Sequence, residues 1–184
     1  FVWDRVRELN VLDRDDFKAS DGTLGTDPVG THMFLWQPDN ESFPVSGAFD
    51  PVRIGYDNPA IVADYAGAIE SSLGIVYLYS KSFAPETSEP LCVTGGVTKV
   101  PEIVRRVAAI WNRSVITVGT VGAALGAAVA GASNLSDSPG VEELSRSVLP
   151  RSKPIAPRDD DVAAFHGDRN YLGRLKREYE KVIG

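Results

Sequence analysis

Cysteine, basic charge and long apolar runs are all scarce in this 184-residue sequence, and each scarcity excludes something. The single cysteine, Cys92, excludes an internal disulfide and a cysteine-based zinc cluster. A net charge of -6 argues against a nucleic-acid partner, which needs a basic face to displace counterions from phosphate. The longest apolar stretch, residues 121–132, falls short of the ~20 residues that span a bilayer. We therefore expect no nucleic-acid partner and no membrane span, and a cytoplasmic location.

The remaining composition is that of an ordinary globular protein, with 43% hydrophobic and 24% charged residues. We predict that residues 1–184 form a single domain with its own core. The first residue is Phe1 and the only methionine is Met33, which favours an internal start and a piece of a longer protein. Cys92 lies in an apolar run and is predicted to be a small core residue of a buried strand.

The amino-terminal half contains four predicted elements. Spaced apolar residues indicate a short helix over residues 2–9, and residues 29–36 are strand-like. Residues 41–58 carry prolines and glycines without a period, which indicates a long loop with one short strand near Phe49. A helix is predicted from Pro59 to Val76, because its apolar residues recur at helical spacing.

Strands and helices alternate after residue 90. Strands are predicted over residues 91–94 and 114–118, separated by a helix that Thr98 or Lys99 would cap and that Asn112 would end. A helix over residues 121–132 consists almost entirely of Gly, Ala, Val and Leu, and a helix that is apolar on every side is expected to be buried.

A polar connection and one amphipathic helix are predicted for the rest of the chain. Residues 141–148 carry a short helical pattern, and the acidic run 159–161 is interpreted as a solvated turn or helix start and not as a metal site. The closing helix has Tyr171, Leu175 and Tyr179 on one apolar face.

The chemically informative unit is the junction at residues 91–101, where a strand leads through Gly95 and Gly96 into a helix. Glycine permits backbone angles and close approaches that a side chain forbids. A helix start presents unpaired N–H groups and a partial positive charge, so a nucleotide can lie against such a junction. Many strand–turn–helix junctions use Gly-Gly only for packing, so an α/β domain without nucleotide binding stays an alternative.

Two segments resemble the FGGY carbohydrate kinases, which belong to the actin, hexokinase and Hsp70 fold group. The family's Thr-Gly-Gly-Gly-Ala adenosine motif is matched at Thr94, Gly95 and Gly96, with Val97 and Thr98 at its last two positions. Its Ala-Leu-Gly-Ala-Ala helix is matched at residues 125–128. The strand at 30–36, the helix with Glu70 at an acidic position and the aromatic closing helix resemble the family in order and pattern.

The resemblance implies an α/β fold, the C-terminal lobe of the actin-like ATPase (ribonuclease H-like) architecture, with a mixed sheet flanked by helices. Residues 1–184 would be the nucleotide-side lobe without its N-terminal lobe. The implied reaction transfers the γ-phosphoryl group of ATP to a sugar hydroxyl with Mg²⁺. D-Xylulose is the first candidate for that sugar. The alternative is that the protein is a ribulokinase or another member of the family. Gly95, Gly96, Val97 and Thr98 would form the adenosine surface. The partners would be ATP or ADP and a small sugar, and a homodimer is compatible with the resemblance.

The resemblance places the phosphate-binding Asp-Gly-Thr hairpin and the catalytic aspartate upstream, so no catalytic residue and no metal ligand is assigned here. Asp21-Gly22-Thr23 lacks the preceding apolar strand. His32 and His166, the only histidines, are expected to be structural or exposed.

Two departures from the family pattern indicate a divergent subfamily or weakened nucleotide binding. Residues 40–44 lack the arginine of the family's Gly-Glu-Arg-Thr-Pro segment, and Val97 adds a branched side chain beside the adenosine surface. The alternative is a degenerate, non-catalytic lobe that senses a sugar or associates with another protein.

Overall fold

The computed structural model of the chain describes residues 24, 28–37, 47–56, 61–84, 87–118, 122–135, 139–148 and 152–184. The predicted helix over residues 2–9, the Asp-Gly-Thr turn at 21–23, Pro59 and the segment 40–44 lie outside the described residues.

The described residues form strands and helices in the predicted order. The strands are β1 (Met33–Gln37), β2 (Phe49–Ile54), β3 (Leu91–Val93) and β4 (Val115–Thr117). The helices are α1 (Ile61–Ser80), α2 (Pro101–Trp111), α3 (Gly122–Ser133), α4 (Val141–Val148), α5 (Asp159–His166) and α6 (Tyr171–Ile183). A short 3₁₀ turn, Gly96–Lys99, precedes α2. The α/β architecture is confirmed, and the described strands pair as two small sheets.

Strands β1 and β2 form an antiparallel pair, with Met33 opposite Ile54 and Leu35 opposite Val52. The single short strand predicted near Phe49 is in fact six residues long, and it contains Pro51. A proline removes one ladder donor, and sheets tolerate it at an edge or an irregularity. Here the register shifts between Leu35 and Gln37, so Pro51 falls where regular pairing is already interrupted.

Strands β3 and β4 are parallel and in register from Leu91 opposite Val115 to Val93 opposite Thr117. Helix α2 connects them, as a parallel pair requires. The left-handed backbone of Asn112, with φ of 47°, ends α2, which confirms the predicted break.

The main core lies between β1, α1, α2, α5 and α6. The predicted apolar face of α6 is confirmed, because Tyr171, Leu172, Leu175 and Tyr179 are all buried. Met33 and Leu35 of β1 and Phe165 of α5 complete this cluster. Asn170 caps α6 by accepting a hydrogen bond from the Gly173 N–H at 3.2 Å.

The acidic run 159–161 begins α5, as one of its two interpretations predicted. It is not solvated throughout, because Asp161 is only 2% exposed. Both of its carboxylate oxygens accept hydrogen bonds from Arg105 of α2, one of them at 2.6 Å. The pairing compensates for the burial of the charge, and it fastens α5 to α2.

The two histidines have structural surroundings. The His166 ring nitrogen Nε2 lies 2.9 Å from the Ile110 carbonyl oxygen. The His32 ring packs against Tyr56, with 4.7 Å between ring centroids. No group of three side chains suited to hold a metal ion occurs in the described part of the chain. Within the same residues, no helix is both long and apolar enough to cross a membrane.

Candidate functional site

The candidate site is the edge of the parallel sheet at which β3 and β4 both end. Val93 and Thr117 are paired at the ends of these strands, and the Val118 N–H donates to the Val93 carbonyl at 2.8 Å. Parallel strands expose their carboxyl ends at one edge, and ligands of α/β folds commonly bind outside that edge. Thr94 and Gly95 leave the sheet there.

The backbone of Gly95 has φ of 90° and ψ of -164°. This region of backbone space is essentially restricted to glycine. A Cβ atom built at Gly95 or Gly96 would meet no atom within 4 Å. By contrast, a Cβ at Gly67 of α1 would lie 3.2 Å from the Phe34 backbone nitrogen. Packing among the described residues therefore requires neither loop glycine, and the space beside both is open.

Thr98 shapes this loop from within. Its hydroxyl donates to the Gly95 carbonyl at 2.8 Å, and its backbone N–H donates to the same oxygen at 3.1 Å. The Val100 N–H closes the next turn on the Val97 carbonyl at 3.2 Å. Thr98 is thus placed at the predicted site, but its hydroxyl hydrogen is directed to the loop backbone.

The helix after the loop begins later than predicted. The N-cap of α2 is Val100, without a side-chain cap, and Pro101 is the first helical residue. The predicted cap by Thr98 or Lys99 is wrong, because the Thr98 hydroxyl bonds the Gly95 carbonyl and a 3₁₀ turn intervenes. The Ile103 and Val104 N–H groups both donate to the Val100 carbonyl. The surface offered at this edge is therefore the glycine loop itself, and not the start of α2.

Two side chains project from the loop into solvent. Val97 is 39% exposed, and Lys99 is exposed as well. A flat apolar ring can contact the open backbone of Gly95 and Gly96 while Val97 contacts its edge. Lys99 adds a positive charge next to this surface.

Cys92 is exposed, so its prediction as a core residue is wrong. Alternate residues of a strand point to opposite faces. Leu91 and Val93 pack against the cluster of Val104, Val107, Ala108 and Val115, whereas Cys92 points the other way. One face of the β3–β4 pair is therefore covered by α2, and Cys92 lies on the other.

Helix α3 is also more exposed than predicted. Ala124, Gly126, Ala127 and Ala128 are exposed, and Val129 at 6% is its buried residue among those described. The expectation of a buried helix is wrong for this chain, because the element that packs closely on α3 is the short helix α4. The rule that an all-apolar helix is buried presumes that the covering surface is present.

A buried ion pair behind the loop was not predicted. Arg106 of α2 and Glu70 of α1 both have side chains that are 0% exposed. The sequence contains a signal for it, since Arg106 shares a helix face with Ile103, Val107 and Ile110. A charged residue on an apolar face requires a buried partner.

A second cluster joins β2 to α1. Arg53 donates from Nε and one terminal nitrogen to the two carboxylate oxygens of Asp64, at 2.8 and 2.7 Å. The Tyr56 hydroxyl donates to Asp64 at 2.6 Å. The hydrogen bond to Asp64 raises the pKa of Arg53, and Asp64 is fully buried. The pair is distant in sequence from the glycine loop.

Known structures share this fold. No protein-family model and no curated protein matches the sequence. The ligand-bound xylulose kinase from Lactobacillus acidophilus superposes with a TM-score of 0.76 over 100% of this chain, at 18% identity. The xylulose kinase from Rhodospirillum rubrum superposes with a TM-score of 0.62 over 96% of this chain, at 15% identity. The fold is that of a xylulose kinase C-terminal lobe.

The match covers only part of each xylulose kinase. This chain spans 38% of the Lactobacillus chain and 35% of the Rhodospirillum chain. The likeness fits the predicted C-terminal domain of an FGGY kinase. At these identities it establishes the fold, and the function has to be argued from the site.

Proposed function

We propose that this chain is the nucleotide-side lobe of an ATP-dependent sugar kinase of the FGGY family. The lobe supplies the adenosine surface through Gly95, Gly96, Val97 and Thr98. D-Xylulose is the first candidate for the acceptor sugar, since both matched structures are xylulose kinases. Ribulokinase or another member of the family is the alternative. A cytoplasmic location belongs to the same proposal.

The observation that carries this proposal is the open glycine pair at the sheet edge. Gly95 adopts a backbone conformation that glycine alone adopts easily, and nothing among the described residues fills the space beside Gly95 or Gly96. In the proposed kinase, this surface would accept an adenine ring against the loop backbone. Thr98 holds the loop in shape, and Val97 borders the ring.

The four residues of the proposed adenosine surface have binding roles, and no described residue is assigned a catalytic one. Phosphoryl transfer depends mainly on positioning and on charge stabilisation, and bound Mg²⁺ neutralises charge on the nucleotide phosphates. No described residue is assigned to that metal, and the described residues contain no group of three His, Cys, Asp or Glu side chains placed to hold one. The apolar surfaces of α3 and of the β3–β4 pair would contact the remainder of the kinase, whose closure excludes water.

The adenosine surface is tested by measuring ADP affinity calorimetrically in the full-length protein and in a Gly96→Arg variant. The arginine should occupy the open space and weaken ADP binding by about tenfold or more, or ~1.4 kcal/mol. Gly140→Arg is the matched control, since Gly140 is also exposed and a Cβ there meets nothing within 4 Å. Equal ADP affinity in wild type and Gly96→Arg would contradict the assignment.

The two-lobe requirement has its own test. The isolated 184-residue chain should show no sugar phosphorylation with ATP, D-xylulose and Mg²⁺, because the proposed catalytic aspartate lies outside it. Measurable xylulose phosphate formed by this chain would contradict the proposed division of labour between the lobes.

A degenerate lobe that senses sugars or associates with another protein is the second candidate. It is favoured by the 39% exposed Val97, which narrows the open surface. Full-length protein that binds xylulose but neither ATP nor ADP would support this candidate over the kinase.

A further inference from the structure

The buried pair of Glu70 and Arg106 lies behind the candidate site and has no role in the adenosine surface itself. The Arg106 Nε donates to one Glu70 carboxylate oxygen at 2.9 Å. Both side chains are completely excluded from solvent. Two charges in such a place require further hydrogen bonds to offset the loss of water.

Those further bonds connect three separate parts of the chain. The two Glu70 oxygens accept the backbone N–H groups of Val29 and Gly30, each at 2.9 Å. The terminal nitrogens of Arg106 donate to the Leu24 carbonyl at 3.1 Å and to the Glu102 carbonyl at 3.2 Å. The segment before β1, helix α1 and helix α2 therefore meet at one charged centre.

This centre is directly connected to the glycine loop. Glu102 is in the first turn of α2, two residues after the N-cap Val100. The Val100 N–H donates to the Val97 carbonyl, and the Thr98 N–H donates to the Gly95 carbonyl. The position of α2 along α1 therefore determines where the loop lies, and Arg106 anchors α2 to α1.

Stability alone does not explain an ion pair at this point. Apolar residues of similar volume often stabilise a core as well as a buried ion pair does. An arginine adds directional donors, and here they bond Glu70 of α1, the Leu24 carbonyl before β1 and, within its own helix, the Glu102 carbonyl. The arrangement is suited to define one relative position of these elements.

We propose that Glu70 and Arg106 are positioning residues that hold α2, and with it the Gly95–Lys99 loop, in the place where the loop can receive a nucleotide. This inference rests on the proposed function for the identity of the ligand. The position of the loop itself is measurable without any ligand.

The test compares the full-length protein with the Glu70→Met/Arg106→Met double variant, in which no unpaired charge remains. The expected result is a folded protein in which the loop amides of residues 96–99 exchange faster with solvent. The Kd for ADP should rise by about tenfold, since small misplacements of binding groups have effects of that size.

The matched control is Arg53→Met/Asp64→Asn, which removes the ion pair between β2 and α1. The hydrogen bonds between Arg53 and Asp64 involve no residue of α2. Loop exchange and ADP affinity should therefore remain those of the wild type. An equal change in both double variants would overturn the proposal. So would wild-type loop exchange and wild-type ADP affinity in the folded Glu70→Met/Arg106→Met protein.

The Arg106→Lys variant tests the positioning role if the double variant does not fold. Lysine keeps the charge, but it cannot bond Glu70, Leu24 and Glu102 with a rigid fork. Faster loop exchange and a smaller loss of ADP affinity are expected, and unchanged values would overturn the proposal. If wild type binds no ADP but the variants still exchange faster at residues 96–99, the proposed function fails while the positioning role stands.

Discussion

The core around α1 and α6 and the region from β3 to α3 differ in how they are covered. In the first region, residues such as Met33, Phe165 and Leu175 are fully buried by the chain's own elements. In the second, apolar or small residues including Cys92, Val97 and most of the described part of α3 are exposed. A face of small apolar residues at the surface indicates a contact that the described residues do not provide. The first region is therefore a core that the described residues cover, whereas the second is open among the described residues and contains the proposed adenosine surface.

The largest expected change in the free energy of unfolding is that of a buried phenylalanine, and an exposed phenylalanine is its control. Phe165 is fully buried and Phe83 is 74% exposed. Phe165→Ala should lower the free energy of unfolding by about 3–5 kcal/mol, because it leaves a cavity in the core. Phe83→Ala should change it by less than about 0.5 kcal/mol. Urea unfolding measures both, and similar losses would contradict the burial of Phe165 in the core of the first region.

Alanine substitution at two glycines should change the free energy of unfolding in opposite directions. Gly30 has φ of 60°, and a Cβ there would lie 2.5 Å from the Ala164 carbonyl oxygen. Gly30→Ala should destabilise the chain by about 2 kcal/mol, through backbone strain and overlap. Gly126 lies in α3 with no atom within 4 Å of a Cβ, so Gly126→Ala should stabilise the helix by up to about 1 kcal/mol.

Thermal or urea unfolding of the two glycine variants sharpens the comparison further. If α3 is covered by the remainder of a longer protein, Gly126→Ala should lose its stabilising effect there. A Gly126→Ala variant that destabilises the isolated chain would show that α3 is packed more closely than its exposure indicates.

Cys92 gives the smallest effect on stability. Because its side chain is exposed, Cys92→Ser should change the free energy of unfolding by less than about 0.5 kcal/mol. The thiol of the native chain should also react with a thiol reagent without denaturant. A thiol that reacts only after unfolding would place Cys92 in a core and remove one face from the exposed region.

The sequence correctly predicted the features that depend on short-range patterns. The apolar face of α6, the end of α2 at Asn112 and the alternation of strands and helices after residue 90 are all confirmed. Each depends on side-chain spacing or on the backbone preference of one residue. The extent of β2 was underestimated, because Pro51 is a strand breaker except where pairing is irregular.

The predictions that failed concern burial and long-range contacts. Cys92 and α3 have apolar sequences, but burial depends on a covering surface and not on the residue itself. The cap of α2 was misplaced, because a hydroxyl that can cap a helix can equally bond the loop before it. The adenosine roles of Gly95, Gly96, Val97 and Thr98 stay a prediction, and the structure adds the open space beside the two glycines.

By itself, the sequence determined the order of elements, the glycine pair at the end of β3 and the resemblance to FGGY kinases, because these depend on short-range pattern. Only the tertiary structure decided that Glu70, Arg106 and Gly30 meet, since these residues are 36 to 40 positions apart in their contacts. It also decided which apolar surfaces lack a cover. Both outcomes follow from the same cause: burial and ion pairing are properties of the assembled chain, and no single segment contains them.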